Sequence, residues 1–269
     1  AQATYRFKDA VDNYRCPDLL RIDSTRIPEL VDQGLISEAP ATLFEGREWL
    51  EEATAQARYR GRLYGLPQSL DGLALIRKRK SGGSWPPASL DSLERSALAA
   101  PDKPTLGILV DGYWAIAFLR SAGADLPDEA MQPPIDGAAA QAGLSRMASL
   151  FSRGLAADVL DELNPSRGLS DQFRAGGIEI IMEGPWALVD LSGGDLNSLE
   201  IAPFPGGAAP RGGQVLTVPT CANAATRAWE LAHALTAPDV QGRWAHELGL
   251  IPVTREALEQ SPRIVHEFY

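Results

Sequence analysis

Three aromatic rings and a few polar side chains carry the chemistry this sequence offers. Tyr113, Trp114 and Trp186 each begin a helical segment just after a loop, a place from which a ring reaches a cleft. A flat aromatic face takes the apolar C–H face of a saturated ring, and planar polar groups take its hydroxyls. Among the polar groups, Asp71 stands out, because a charge amid Leu70, Gly72 and Leu73 has little structural reason to exist. Asp111, two residues before Tyr113, is a further hydroxyl acceptor, and Gln68 and Gln214 are cleft candidates. Each has a structural competitor. The helix at Tyr113 is apolar on several faces, so Trp114 also reads as core; Trp186 divides between cleft and core. Asp23 and Asp111 precede helical segments, where Asp commonly caps. Trp49, Trp85, Trp229 and Trp244 are assigned to packing.

Covalent chemistry has less to stand on. There is no GxSxG elbow, no P-loop, and no GxGxxG between a strand and a helix. Asp71 and Asp111 would make a glycosidase pair only at a suitable separation, which sequence does not supply. The only cysteines are Cys16 and Cys221, and the histidines are His233, His246 and His266, with no CxxC or HExxH spacing. A structural zinc or redox dithiol is therefore not expected, nor is any cofactor. The two thiols are either inert and buried or joined in one long-range disulfide.

These residues must be positioned by a chain of 269 residues, 45% hydrophobic and 22% charged, enough for a real core in about two domains. The net charge of −10 excludes nucleic acid, whose binding rests on neutralised phosphates, and argues against an anionic membrane surface. No apolar run reaches the length of a membrane span. Periodicity alternates short strands and helices, an α/β pattern. Helices are expected at 5–14, from Pro28 to Gly34, and at 46–58, 89–99, 113–121, 137–153, 170–174, 224–235, 238–248 and 254–259. Strands are expected at 19–22, 62–65, 72–77, 105–110, 178–182, 199–203 and 214–219, with a turn at 66–69. Two Gly/Pro-rich loops, 81–87 and 205–213, bracket the middle of the chain, so one lobe is left, a second built, and the first resumed.

Several segments, in order, resemble the extracellular solute-binding proteins of ABC importers, in the maltose-binding-like carbohydrate cluster. They are Pro17-Asp18-Leu19-Leu20 leading to Gln33-Gly34-Leu35-Ile36, then Leu63-Tyr64-Gly65-Leu66-Pro67 with Leu73-Ala74-Leu75, and Gly112-Tyr113-Trp114. After these come Phe173 and Gly176 before Glu183-Gly184-Pro185-Trp186, then Pro203-Phe204-Pro205-Gly206-Gly207, and Gly249-Leu250-Ile251-Pro252-Val253-Thr254. Each alone is weak; six in order are specific. Relative to that family, the chain is expected to lack an N-terminal strand–helix–strand unit and C-terminal helices.

The resemblance implies a two-lobed fold of the periplasmic-binding-protein-like type II class, each lobe a mixed, mostly parallel sheet flanked by helices. Lobe one is expected at 1–77 with 214–269 and lobe two at 78–213, with hinge crossings near 76–80 and 205–214. It implies capture of a small ligand, a carbohydrate, in the interlobe cleft by hinge closure, and delivery to ABC permease subunits by a monomer. Polyol, peptide-like or glycerol-phosphate ligands occur on the same scaffold, and a sensor or scaffold domain of a larger regulator is the alternative. Trp186 and Tyr113 match ring-stacking positions, Asp71 a hydroxyl-holding carboxylate, and Thr25 and Arg26 a polar pair on the opposite wall. The family also sets the strand after Pro17 antiparallel to the strand returning from lobe two, which brings Cys16 to Cys221 as a disulfide. Such a bond fits an extracytoplasmic location, periplasmic or lipid-anchored.

Overall fold

The structure, a computed structural model, describes residues 2–13, 15–79, 85–98, 105–124, 137–157, 165–206 and 209–269. The loop residues 80–84 and 207–208, and the expected helix ends at 14 and 99, lie outside them. The chain divides into two compact units, Ala1–Asp71 with Arg211–His266 and Gly72–Pro210 with Glu267–Tyr269.

Unit one opens with α1 (Gln2–Asp12), which buries Phe7 in a cluster with Ile22 and Ile27. Next, β1 (Leu20–Asp23) runs through a 3-10 turn (Ser24–Arg26) into α2 (Ile27–Asp32). Pro28 sits in the first turn of α2, where its missing N–H has no partner to lose. After α3 (Glu51–Gln56), the hairpin β2 (Arg58–Tyr59) and β3 (Arg62–Leu63) turns on Arg60 and Gly61, both at positive φ, 47° and 78°. That backbone hand matches the twist of a two-residue hairpin. The outward run ends with β4 (Leu66–Gly72), buried along most of its length.

In unit two the chain forms β5 (Ala74–Lys78), α4 (Leu90–Leu98), β6 (Leu106–Gly107) and α5 (Gly112–Ser121). It continues with α6 (Ala138–Ser152), β7 (Ala156–Ala157), α7 (Pro165–Arg174), β8 (Ile180–Glu183), α8 (Leu188–Ser192) and β9 (Leu199–Ala202). The sheet order is β7-β6-β8-β5-β9. It is mixed: β6 runs parallel to β7 and β8, while β5 runs antiparallel to β8 and β9. Arg77 of β5 directly opposes Glu200 of β9, with Nε 2.9 Å from Oε2, and its guanidinium lies 4.5 Å from the Trp85 ring. A buried arginine is tolerable there because its charge is matched and stacked. The sequence reading gave 72–77 to the first lobe; instead these residues begin the second unit, with β5 inside its sheet.

The chain returns to unit one as β10 (Arg211–Thr217), inserted between β1 and β4, followed by α9 (Ala225–Leu235), α10 (Pro238–Leu248), α11 (Arg255–Glu259) and α12 (Arg263–Phe268). Alternation along β10 serves two cores. Val215 joins Phe7, Ile22 and Leu30, while Leu216 and Val218 join Leu66 and Trp229 of α9. β1 pairs antiparallel with β10 from Leu20↔Thr217 to Asp23↔Gln214. Just before β1 and just after β10, Cys16 and Cys221 form a disulfide, their Cα atoms 6.0 Å apart. No helix among the described residues is long and apolar enough to cross a membrane.

Two local expectations give way to tertiary structure. Residues 66–69, expected as a turn between two strands, are the start of β4, which ends the sheet order, where the missing N–H of Pro67 is tolerated. The helix expected over 46–58 shrinks to α3, because Trp49 is drawn into a β-bridge with Thr254 and Leu50 donates its N–H to the Val253 carbonyl. Beside this bridge, Arg47 donates to Thr236 Oγ1 at 2.9 Å and to His233 Nδ1 at 3.2 Å. The His233 ring therefore accepts as the neutral form, and burial, then the charge of Arg47, lowers its pKa. With the folded pKa below the unfolded one, the unfolded chain takes up protons first as pH falls. Stability should thus be full above the ordinary histidine range, near pH 6.5, and decline below it. Melting temperatures at pH 7.5 and 5.5 should show a smaller drop for His233→Gln than for the unaltered chain; equal drops would refute the assignment.

Candidate functional site

In unit two, the sequence-selected rings come together. Asp111 caps α5, its Oδ1 accepting the Tyr113 N–H at 2.8 Å, which fixes where Tyr113 and Trp114 leave the first turn. Trp114 is 9% exposed, and its indole N–H donates to the Met182 carbonyl of β8 at 2.7 Å. Its burial and tether are those of a core residue, as the competitor reading held. Trp186 follows Gly184 and Pro185 at the end of β8 and is 41% exposed, unusual for so large an apolar side chain. The three rings form one cluster, with centroids 5.8 Å apart for Tyr113–Trp114, 6.4 Å for Trp114–Trp186 and 6.5 Å for Tyr113–Trp186.

Gly184 makes that arrangement possible. A Cβ built there would lie 2.2–2.5 Å from three carbons of the six-membered indole ring, so the ring rests on bare backbone. The φ of Gly184 is −99°, open to any residue, so the glycine is needed for the ring's space and not for the backbone. Asp111 meets its competitor reading as a cap, and it is exposed at the same helix start.

Unit one holds a polar group of its own. Arg21 and Asp23 alternate with buried Ile22 on β1 and so share a face. From β1, Arg21 Nε donates to Gln68 Oε1 of β4 at 2.7 Å, reaching across the intervening β10. Gln68 itself is only 3% exposed; its carbonyl accepts the buried Gln241 side-chain amide at 2.8 Å, while Gln241 Oε1 accepts the Val253 N–H at 3.2 Å. Arg21 is open to solvent as a residue, yet burial of its guanidinium lowers its pKa, against the opposing pull of Asp71 first and Asp23 second. Asp71 is half-buried at the end of β4, and Asp23 lies on β1 on the same face as Arg21. Asp23 also accepts both the Thr25 N–H, at 2.9 Å, and the Thr25 hydroxyl, so it caps the turn as its competitor reading held. Gln214 stands opposite Asp23 in the β1–β10 register, half-buried.

The other half of the expected polar pair is Arg26. Arg26 lies 3.6 Å from Glu29 on α2, whose carboxylate is also bound by Lys8 of α1. The Lys8 hydrogen bond is the main reason that the Glu29 pKa is lowered. Arg26 thus takes part in an α1–α2 ion network. Arg21 is the residue that sequence reasoning missed. Its signal was an exposed position at period two within an otherwise apolar strand, Leu19 to Ile22, which reads first as strand interior. Among the described residues, no group of three or more His, Cys, Asp or Glu is placed to hold a metal.

A family model described as bacterial extracellular solute-binding protein matches residues 2–266. No curated protein matches the chain. Among solved structures, the GacH receptor of Streptomyces glaucescens, known unliganded and with acarbose, is 24% identical with a TM-score of 0.85, covering 96% of this chain and 71% of that one. The maltose-bound MalE3 of T. maritima is 20% identical with a TM-score of 0.81, covering 98% and 76%. UgpB from Mycobacterium tuberculosis, in complex with glycerophosphocholine, is 17% identical with a TM-score of 0.79, covering 96% and 72%. At these identities the likeness is one of fold: an α/β, two-lobed architecture with mixed sheets and flanking helices.

Proposed function

The chain belongs to the bacterial extracellular solute-binding protein family, and from that membership we propose that it captures a small carbohydrate and passes it to the permease of an ABC importer. Proteins of this family bind solutes and do not transform them, and they work outside the cytoplasm; the Cys16–Cys221 disulfide suits that compartment. The observation that carries the ligand class is the Trp186 indole, 41% exposed and held beside Tyr113 and Trp114. An exposed indole braced by other rings is a platform for the C–H face of a pyranose. In unit one, Arg21 and Asp23 of β1 and Asp71 of β4 are side chains of the types that donate to and accept from hydroxyls. Of the sequence-selected residues, Trp186, Tyr113 and Asp71 are the proposed contacts, Trp114 and Gln68 support them from behind, and Asp111 and Thr25 form the edge. Capture by hinge closure on both sets is part of the same proposal, as are a monomeric state and a periplasmic or lipid-anchored location. The fold partners that bind acarbose and maltose lend support; the one that binds glycerophosphocholine marks the competing ligand class.

A thermal-shift screen tests this. A ligand at 100 times its Kd stabilises the folded state by about 2.7 kcal/mol, a shift of several degrees for a chain of this size. Neutral sugars should raise the melting temperature and be recovered unchanged. A shift produced only by glycerophosphodiesters or peptides would overturn the carbohydrate reading, and sugar turnover would overturn the binding role.

A further inference from the structure

The Trp186 indole rests on the backbone of Gly184, and a buried carboxylate holds that backbone. Glu183 is the last residue of β8, where it pairs with Ala74 of β5 and is fully buried. Pairing with β5 runs to this residue, and pairing with β6 stops earlier, at Gly107↔Ile181. The Gly184 N–H therefore lies past both ladders. It donates to Glu183 Oε2 at 3.0 Å, a bond buried from solvent. One residue before Glu183, the Met182 carbonyl takes the Trp114 N–H. Residues 182 to 184 thus hold two of the three rings, Trp114 by its edge and Trp186 by its face. A carboxylate is costly to bury, and an apolar side chain would fill a sheet interior at less cost. What the acid supplies here, and an apolar side chain would not, is an acceptor for the Gly184 N–H.

We propose that Glu183 is a positioning residue: by holding the Gly184 peptide it sets the plane of the Trp186 ring and keeps that ring in place for a sugar face. This rests on the binding role proposed above and deepens it. A ring already fixed in its bound orientation gives more affinity than one that must be ordered by the ligand, because no ordering is left to offset the contact. Without the acceptor, the Gly184 N–H is buried and unsatisfied, so the peptide turns toward another partner. The indole packs directly on that peptide and tilts with it. Being buried, Glu183 acts through the ring and not by touching the sugar.

The test is a double-mutant cycle on the full chain, read by isothermal titration with the sugar found in the screen. Glu183→Met keeps the length of the side chain and removes the acceptor, and it should weaken the sugar about tenfold. Glu183→Gln, whose amide oxygen still accepts, should recover most of that loss. In a Trp186→Ala background, Glu183→Met should change Kd by less than about twofold, because the ring it acts through is gone. A merely structural role would carry the same loss into both backgrounds. Acrylamide quenching reads the ring without any ligand. The part of the tryptophan emission that Trp186→Phe removes should be quenched more strongly in Glu183→Met and return to the parent value in Glu183→Gln. Circular dichroism melts verify that each variant is folded; Glu183→Ser, which leaves room for water, replaces a Glu183→Met chain that fails to fold. A folded variant that binds like the parent, or an equal loss in the Trp186→Ala background, overturns the inference and leaves the binding role standing. Failure of every sugar to bind overturns the binding role; quenching then decides the positioning, and quenching equal to the parent's overturns it as well.

Discussion

Trp186→Ala should weaken binding of the sugar found in the screen by about 2 kcal/mol, roughly thirtyfold in Kd, while leaving the melting temperature of the unliganded protein almost unchanged. The separation of the two effects follows from exposure. At 41% exposed, the indole has less apolar area to lose on truncation than a core ring, so the folded state gives up little. Its neighbour makes the contrast. Trp114 is 9% exposed and hydrogen-bonded to Met182, so Trp114→Ala should cost about 3–5 kcal/mol of stability and lower affinity only as a consequence. Gly184→Ala closes the argument, because it alters no ligand-facing group. The added methyl would meet the indole at 2.2–2.5 Å and must lift it, an overpacking worth about 1–3 kcal/mol, which should weaken the sugar about tenfold with Trp186 still present. Titration and melting of the three variants measure this directly. A Trp186→Ala protein that binds like the parent would remove the ring from the site.

That the cluster of rings is legible in the sequence, and the Arg21–Gln68 contact is not, has one physical origin. Trp186 and Tyr113 sit at junctions between a strand or loop and a helix, and such junctions are written locally by Asp111, Gly184 and Pro185. The strand cores were equally local: β1, β8, β9 and β10 follow from short apolar runs. The group around Arg21 is not local. Its members come from β1 and from β4, which are separated by β10, a strand that arrives almost 200 residues after β1. No periodicity links position 21 to position 68. The same logic explains residues 66–69, which read as a turn until the sheet order places β4 at an end, and the shortening of α3, where distant Thr254 and Val253 claim the backbone of residues 49 and 50. Arg26, expected in a polar pair with Thr25, also has ion-pair partners that local sequence does not reveal. The turn it ends also brings Glu29 within reach one helical turn on, and Lys8 from α1 completes a network there.

Reducing the Cys16–Cys221 bond should lower the melting temperature by roughly 6–12 °C, which corresponds to a loss of about 2–4 kcal/mol. The bond links residues 205 positions apart, and for a loop of that length the chain-entropy expression gives roughly 5 kcal/mol, an upper figure because a compact unfolded chain already loses part of that freedom. Its position adds a local reason for a large effect. It closes the end of the β1–β10 pair, with Asp18 accepting the Ala224 N–H at 2.9 Å beside it, and among the described strands β1 lies at the end of the order β1-β10-β4. Loosening that pair loosens the strand that carries Arg21 and Asp23, so affinity should fall together with stability, although neither cysteine is among the proposed ligand contacts. Melts with and without a phosphine reductant, repeated on a Cys16→Ser, Cys221→Ser double variant, separate the covalent effect from any effect of the reductant itself. The double variant should behave as the reduced parent and ignore the reductant. If reduced and oxidised protein melt together, the β1–β10 ladder and its two flanking cores hold this region unaided, and the bond contributes nothing beyond them.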